Sequence, residues 1–214
     1  MPDWNAHIRN CLAGTAPSRA DDTLLLPGLT AEQSAPFRRH FPERPIPAAV
    51  LVPLIERPSG LTILLTQRAT QLKNHAGQIS FPGGRIEPTD ADVTAAALRE
   101  AQEEIGLDPA FVSIIGYLPD HIVVTGFRVT PVVGLVRPEF ELLLDSEEVE
   151  DAFEVPIEHI FEPSNRRSRI RQLGDGAIEM ELSDILYGER VIWGATAGML
   201  LTLTRLCGPG GARD

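Results

Sequence analysis

Three glutamates on one helical face constrain the fold of this chain more than any other feature. Glu100, Glu103 and Glu104 are spaced i, i+3 and i+4, which at 3.6 residues per turn puts their carboxylates on one narrow side of a helix. Like charges at this spacing destabilise a helix, so the pattern predicts a cation at this face. Carboxylate oxygens with room left for water favour Mg²⁺ or Mn²⁺ over zinc, and ions held in this way usually serve phosphate chemistry.

The glutamates belong to the strongest helix pattern in the sequence, which we predict from about Asp90 to Ile105. Thr89 or Asp90 can cap its start, and Gly106 can end it in the left-handed conformation. A separate apolar stripe runs about 100° away from the glutamate face; it consists of Leu98, Ala101 and Ile105. We therefore expect the helix to pack by one side and to present metal ligands on the next.

Composition and charge limit the classes of partner. The chain has 214 residues, of which 43% are apolar, so one compact domain with a sizeable core is expected. The formal charge of −11 argues against a nucleic-acid partner, which would need a basic face. An anionic substrate must instead be attracted by local cations and by the metal. The sequence leaves the oligomeric state open, with a homodimer as one option.

The cysteines and the termini indicate a cytoplasmic protein. Cys11 and Cys207 lie near opposite ends and have no paired spacing, so we expect two reduced thiols in a cytosolic protein. The N-terminus lacks the pattern of a signal peptide, and the most apolar helical stretch is too short to span a membrane. We therefore expect a cytoplasmic location and no membrane partner.

The chain divides into three parts. Residues 1–45 are a lead-in with short helices, 46–207 form the main domain, and 208–214 are a frayed tail. The two lead-in helices are predicted at Asp3–Leu12 and Ala31–His40. The predicted strands are Ala48–Ile55, Leu61–Thr66, Gln78–Phe81, Phe111–Leu118, Phe127–Val136, Ala152–Val155, Ile170–Leu173 and Ile178–Leu182. A helix opens at Pro156 and a closing helix covers Trp193–Cys207, so the order of elements predicts a mixed sheet between helices.

The glutamate helix resembles the signature of the Nudix hydrolases, which cleave nucleoside diphosphates linked to another moiety. That signature is Gly, five residues, Glu, seven residues, then Arg-Glu-U-x-Glu-Glu-x-Gly-U, and Arg99–Leu107 meets its second half in full. The first half departs: counted from Gly84, the acidic position is Asp90 and not a glutamate, and eight residues separate it from Arg99. The resemblance implies the Nudix fold, an α/β/α sandwich with a mixed β-sheet.

A second motif resembles that of the coenzyme A pyrophosphatases within this family. It runs from Leu64 to Gly84 and follows the pattern Leu-Leu-Thr-x-Arg-(Ser/Ala)-x3-Arg-x3-Gly-x3-Phe-Pro-Gly-Gly, except that Lys73 replaces an arginine. Lysine keeps the charge but loses the bidentate grip on phosphate. Substrate binding is assigned to Arg68, Lys73, Gly83 and Gly84, although a surface salt bridge is at least as good an interpretation of Arg68 or Lys73 taken alone. The implied reaction cuts coenzyme A or its thioesters to 3′,5′-ADP and 4′-phosphopantetheine or its acyl form.

The predicted catalytic groups cluster around the metal. A Mg²⁺ or Mn²⁺ ion on Glu100, Glu103 and Glu104 would lower the pKa of a bound water. Glu104 or Glu148 would position or deprotonate that water. Glu147 or Glu148 could instead bind a second metal, and both could equally belong to a solvated acidic loop. Arg99 is expected to pair with Glu103 at i+4 and orient it.

Two further side chains have simpler interpretations. His75 could touch a phosphate, but a lone histidine is more often incidental. Trp193 is expected in the core and not as a platform for a base.

Two other functions stay open at this point. The substrate could be ADP-ribose, NADH or another dinucleotide, because pocket loops decide specificity within this fold. The chain could also be a non-catalytic nucleotide-binding Nudix domain. The complete glutamate triad argues against that second alternative, since a binding protein has little need of all three ligands.

Overall fold

The computed structural model describes residues 3–18, 44–72, 75–123, 126–173 and 178–208. Three predictions lie outside these ranges, namely the helix at Ala31–His40, the side chain of Lys73 and nearly all of the tail. The described helices are α1 (Trp4–Leu12), α2 (Val93–Ile105), α3 (Ile157–Phe161) and α4 (Gly194–Cys207). None of these helices is long and apolar enough to cross a membrane.

The described strands fall into two sheets. The larger sheet contains β1 (Ile46–Arg57), β2 (Gly60–Arg68), β3 (Ile79–Ser80), β4 (Gly83–Arg85), β5 (Val112–Tyr117), β6 (His121–Ile122), β7 (Phe127–Val136) and β8 (Val149–Pro156). The smaller sheet contains β9 (Arg166–Leu173), β10 (Ile178–Tyr187) and β11 (Arg190–Ile192). Short 3₁₀ turns at Pro109–Phe111 and Pro163–Asn165 precede β5 and β9.

The larger sheet is mixed, as predicted. Its order is β3-β2-β1-β7-β5, with β4 on β1, β6 on β7 and β8 on β2. The central pair β1 and β7 runs parallel, whereas the other pairs are antiparallel. Strands β9 and β10 form the predicted antiparallel hairpin, and β11 adds to its second strand.

Strand β1 shows how the sequence builds three layers. Strand side chains alternate between the two faces of a sheet, and an apolar run therefore buries both. Ala49, Leu51 and Ile55 pack with α2 on one face. Ala48, Val52 and Leu54 pack with α1, α3 and α4 on the other. Helices thus cover both faces of the sheet, which confirms the α/β/α sandwich.

Helix α2 differs from the prediction at its start. The helix begins at Val93, and the carboxylate of Asp92 caps it by accepting the Ala95 N–H at 2.8 Å. Asp90 cannot serve as the cap because its carboxylate accepts the Glu87 N–H and the Arg99 guanidinium. The predicted end is confirmed, since Gly106 adopts a left-handed φ of 69°.

The expectation of two reduced thiols is wrong in this structure. Cys11 of α1 and Cys207 of α4 form a disulfide, with a Cα–Cα distance of 5.7 Å and a sequence separation of 196 residues. Local spacing could not reveal this pair, because only the packing of the first helix against the last brings the two thiols together.

Candidate active site

A glycine loop brings the backbone against the glutamate helix. Gly83 and Gly84 lie in β4, which pairs with β1. Gly83 has a φ of 153°, and a Cβ there would overlap the backbone carbonyl of Ala49. A Cβ on Gly84 would lie 2.5 Å from the carboxylate of Glu100. Both positions therefore need glycine for the loop to reach this helix.

Glu104 is the most buried carboxylate of the site, with 4% of its surface exposed. The Gly83 N–H donates to its Oε2 at 3.3 Å, and Nη1 of Arg68 lies 3.8 Å from its Oε1. Burial raises the pKa of Glu104 to about 8, although the Gly83 hydrogen bond and Arg68 oppose the shift. The nearby charges of Glu100 and Glu148 raise this pKa further.

Glu100 and Glu148 share this electrostatic environment. Burial is the main cause that raises the pKa of Glu100, and Glu103 and Glu148 add to it while Arg99 opposes it. Glu148 lies on a loop fixed by backbone hydrogen bonds, because its carbonyl accepts the Ala69 N–H at 2.9 Å and its N–H donates to Asp145. Carboxylates from α2 and from this loop are therefore close enough to affect one another.

Arg99 orients the carboxylates around it. Its Nε donates to Asp90 at 2.9 Å, and its Nη1 donates to Glu100 and to Glu103, each at 3.0 Å. The predicted i+4 pair with Glu103 is thus confirmed. These contacts raise the pKa of Arg99, with the hydrogen bonds to Asp90 as the largest cause. Arg99 acts here as a positioning residue.

The donor set at the loop suits a hard divalent cation. Among the described residues, no three His, Cys, Asp or Glu side chains form a ready metal centre. One reason is that Glu103 pairs with Arg99 and leaves 60% of its side chain exposed. Glu100 and Glu104 nevertheless offer carboxylate oxygens that their neighbours compensate only in part, which is the chemistry that Mg²⁺ and Mn²⁺ prefer. A third ligand role for Glu103 stays a prediction.

A cavity of about 490 Å³ opens beside the same loop. Arg68, Gly83 and Gly84 line it, and the Nε of Arg68 is buried without a hydrogen-bond partner among the described residues. His75 also lines the cavity, and its Nδ1 lies 2.7 Å from the amide oxygen of Gln78. The cavity therefore joins three of the four predicted substrate-binding residues.

The position of Trp193 differs from the prediction. Its side chain lines the cavity and is 36% exposed, so it is not a core residue. The apolar side chains of Phe127, Leu182 and Met199 line the same cavity as Trp193. Sequence reasoning missed them because they come from separate elements that carry no motif.

Comparison with known proteins identifies the family. The family model described as NUDIX domain matches residues 45–173, and the chain therefore belongs to the Nudix family. Within it the chain is an enzyme, a hydrolase of the Nudix diphosphatase type. Nudix hydrolases generally need divalent metal ions.

Relatives at 43% identity agree with this assignment. The chain is 43% identical over 157 residues to a protein of Escherichia coli O1:K1 / APEC named "Uncharacterized Nudix hydrolase NudL", covering 73% of this chain and 80% of that protein. The protein of that name from Shigella boydii serotype 18 matches to the same extent. A crystal structure of a MutT/nudix family protein from Enterococcus faecalis has a TM-score of 0.49 at 17% identity, covering 77% of this chain and 62% of that one.

Proposed function

We propose that this enzyme is a Mg²⁺- or Mn²⁺-dependent pyrophosphohydrolase of coenzyme A or its thioesters, with 3′,5′-ADP and 4′-phosphopantetheine or its acyl form as products. The position of the cavity supports this proposal most directly. The cavity opens on Gly83 and Gly84, the loop whose backbone lies against Glu104 and Glu100. A substrate that fills the cavity would therefore present its diphosphate to the carboxylate helix.

The second motif supports coenzyme A over other dinucleotides. Its position Arg68, at the end of β2, lies away in sequence from Phe81, Gly83 and Gly84, yet all four line one cavity. Arg68 lies beside Glu104, so we assign its guanidinium to the diphosphate and not to a distant phosphate. A phosphate oxygen would also give the buried Nε of Arg68 the partner that it lacks among the described residues.

Each acidic residue has a distinct task in this proposal. Glu100 and Glu104 would hold the metal, which when bound would neutralise charge on the diphosphate and acidify a water. Glu148 would accept the proton of the attacking water, because it lies near both carboxylates on a loop that backbone bonds hold in place. Arg99 would keep Glu100 in position through its bonds to Asp90.

The proposed catalytic unit is 46–207, which is longer than the matched residues 45–173. Helix α4 lies beyond the match, yet Leu200 and Leu203 belong to the core and Met199 lines the cavity. Removal of residues after 173 would therefore open both the core and the site.

Product analysis tests the substrate. The enzyme is incubated with coenzyme A, ADP-ribose and NADH at equal concentration, with Mg²⁺ or Mn²⁺, and Glu104→Gln serves as the inactive control. We expect 3′,5′-ADP from coenzyme A as the fastest product. Faster cleavage of ADP-ribose or NADH would contradict the assignment of coenzyme A as the substrate, but the assignment as a diphosphatase would stand. Binding of these nucleotides without turnover would instead indicate a nucleotide-binding domain.

A further inference from the structure

The cavity lies between the matched Nudix residues and the part of the chain that follows them. Val50, Phe127 and Val129 form one side and belong to the matched range. Leu182, Trp193 and Met199 form the other side and lie beyond residue 173. We call these last three residues the C-terminal wall. The larger sheet and the wall both line the space beside the glycine loop.

Neighbouring contacts hold the C-terminal wall in place. The guanidinium of Arg169 lies 5.5 Å from the centre of the Trp193 ring, and its Nη2 lies 3.3 Å from Oδ1 of Asp184. Asp184 is 2% exposed, whereas the Arg169 side chain is 40% exposed. The hydroxyl of Thr196 donates to the carbonyl of Ile79 at 3.0 Å and ties α4 to β3. Trp193 is therefore a fixed surface, although it is partly exposed to the cavity.

The chemistry of the wall favours an apolar occupant. The side chains of Leu182 and Met199 have no strong donors or acceptors, and the Thr196 hydroxyl is already engaged. Gln78 and Ser80 also line the cavity, but Gln78 Oε1 already contacts His75 Nδ1 and Ser80 Oγ contacts the Thr66 hydroxyl. An adenine ring placed against Leu182 and Met199 would therefore bury nitrogens with few free partners, which costs free energy, whereas an alkyl chain would not. Contact with the Trp193 ring would add a large apolar surface.

We propose that the C-terminal wall selects diphosphate substrates that carry an acyl chain, with Trp193 as a specificity-determining residue. This proposal rests on the proposed function and names the substrate class within it, acyl thioesters of coenzyme A. The acyl end lies against the wall while the diphosphate lies at the glycine loop. Each methylene that enters the cavity raises kcat/KM by up to about fourfold until the space is filled.

A chain-length series tests the wall. We measure kcat/KM with Mg²⁺ for coenzyme A and for its acetyl, butyryl, hexanoyl and octanoyl thioesters, below the concentrations at which long chains form micelles. Wild-type kcat/KM rises along the series. Trp193→Ala lowers the octanoyl-to-coenzyme A ratio of kcat/KM at least tenfold, mainly through KM, and Trp193→Phe retains part of it. Ile170→Ala is the matched control, because Ile170 is apolar, 67% exposed and next to Arg169 in β9, on the opposite face.

A binding measurement without turnover gives an independent readout. The chain has two tryptophans, and Trp4→Phe leaves Trp193 as the only indole. The Nε1 of Trp4 has no hydrogen-bond partner among the described residues, so the change removes no such bond. With metal chelated, octanoyl-coenzyme A shifts the Trp193 emission at lower concentration than coenzyme A does. A shift produced equally well by 3′,5′-ADP would place the nucleotide in the cavity and overturn the proposal.

The outcomes separate this proposal from the proposed function. Equal wild-type kcat/KM values along the series overturn the proposed selection by the C-terminal wall and leave coenzyme A as the substrate. A Trp193→Ala variant that loses the same factor on every thioester shows a merely structural role and also overturns it. Failure to cleave coenzyme A or any thioester with either metal overturns the proposed function itself.

Discussion

The Glu104 carboxylate is buried, and only a few weak contacts stabilise its charge. Its carboxylate has one N–H donor at 3.3 Å and one cation at 3.8 Å, which is little for a charge that is almost removed from water. Burial and the charges of Glu100 and Glu148 act in the same direction and raise its pKa. In the metal-free protein, Glu104 therefore lowers the free energy of unfolding at neutral pH.

Replacement of Glu104 by glutamine tests both consequences. The variant keeps the shape and removes the charge, so kcat with Mg²⁺ should fall by about 100-fold or more. The raised pKa means that stability is lost as pH rises from the ordinary value of 4.5 through about 8. With metal chelated, Glu104→Gln should therefore be more stable than wild type at high pH, and equally stable below about pH 4.5. Urea unfolding at both pH values measures this, and lower stability of the variant at high pH would contradict the argument.

Glu148 and Glu147 provide a matched pair for the proton acceptor. Both side chains are exposed, but Glu148 is among the charges that raise the pKa values of Glu100 and Glu104, whereas Glu147 is not. Glu148→Gln should lower kcat much more than it weakens metal binding, while Glu147→Gln should match wild type. Steady-state kinetics and a Mn²⁺ titration of both variants measure this. A parallel loss of kcat and Mn²⁺ affinity would make Glu148 a ligand.

The spacing of residues in the sequence predicted part of the candidate active site. The family signature placed Glu100, Glu104 and the glycine loop together, and the structure does so too. The signature could not show that Glu103 turns toward Arg99, since that depends on which acceptors one guanidinium reaches in space. Trp193 was misplaced for a related reason, because an aromatic at the start of an apolar helix has the same pattern whether it faces a core or a cavity.

The start of α2 shows where element prediction reached its limit. The periodic pattern gave the helix and its last residue, but the prediction named Thr89 or Asp90 as the cap and missed Asp92. The choice between them is tertiary, because Arg99 engages Asp90 and leaves Asp92 as the cap. Strand predictions were closer, since alternation and turn residues are local signals; β7 has the predicted bounds.

Two aspartates before α2 should therefore differ in what they support. Asp92→Ala should lower the free energy of unfolding by about 1 kcal/mol through loss of the cap and leave kcat unchanged. Asp90→Ala should lower kcat, because Arg99 would lose the partner that fixes it beside Glu100. Thr89→Ala is the control for both measurements. Equal effects of the two aspartate variants on kcat would contradict the division of roles.

The contact between β6 and α4 should make stability depend on pH. His121 is fully buried in β6, with Nδ1 2.9 Å from the Pro119 carbonyl and Nε2 3.0 Å from the Thr202 hydroxyl of α4. Burial lowers its pKa from 6.5 to about 4, Arg205 adds to the shift, and the Pro119 carbonyl opposes it. Between these values the unfolded chain binds a proton that the folded protein excludes.

Acid should therefore destabilise the fold through His121 before most carboxylates titrate. Stability should fall as pH drops from about 6.5 to about 4, by at most about 3 kcal/mol from this residue. Chemical unfolding of wild type and His121→Asn across this range isolates the contribution, because the other titrating groups are the same in both. A pH profile of equal slope in the two proteins would contradict the assignment.

At the scale of the whole molecule, the first and last helices close the sandwich together. The Nε2 of His7 lies 2.7 Å from the carbonyl of Cys207, beside the disulfide from Cys11. The disulfide links two residues that are 196 positions apart in the sequence, so almost the entire chain lies within one covalent loop. The cytoplasmic location expected from the sequence would favour the two thiols over the disulfide, so the oxidised and reduced forms should both be measured.

Reduction of Cys11–Cys207 should lower stability more than activity. Closure of a loop of this length removes unfolded-state entropy worth about 5 kcal/mol at most, and native disulfides commonly contribute about 2–5 kcal/mol. Dithiothreitol should therefore lower the Tm of wild type, while Cys11→Ser should show a low Tm with or without reductant. Because both cysteines lie apart from the residues that line the cavity, kcat below the lower Tm should stay the same in both forms. An equal Tm for oxidised and reduced wild type, with thiol titration proving each state, would show that the ends are held by packing alone.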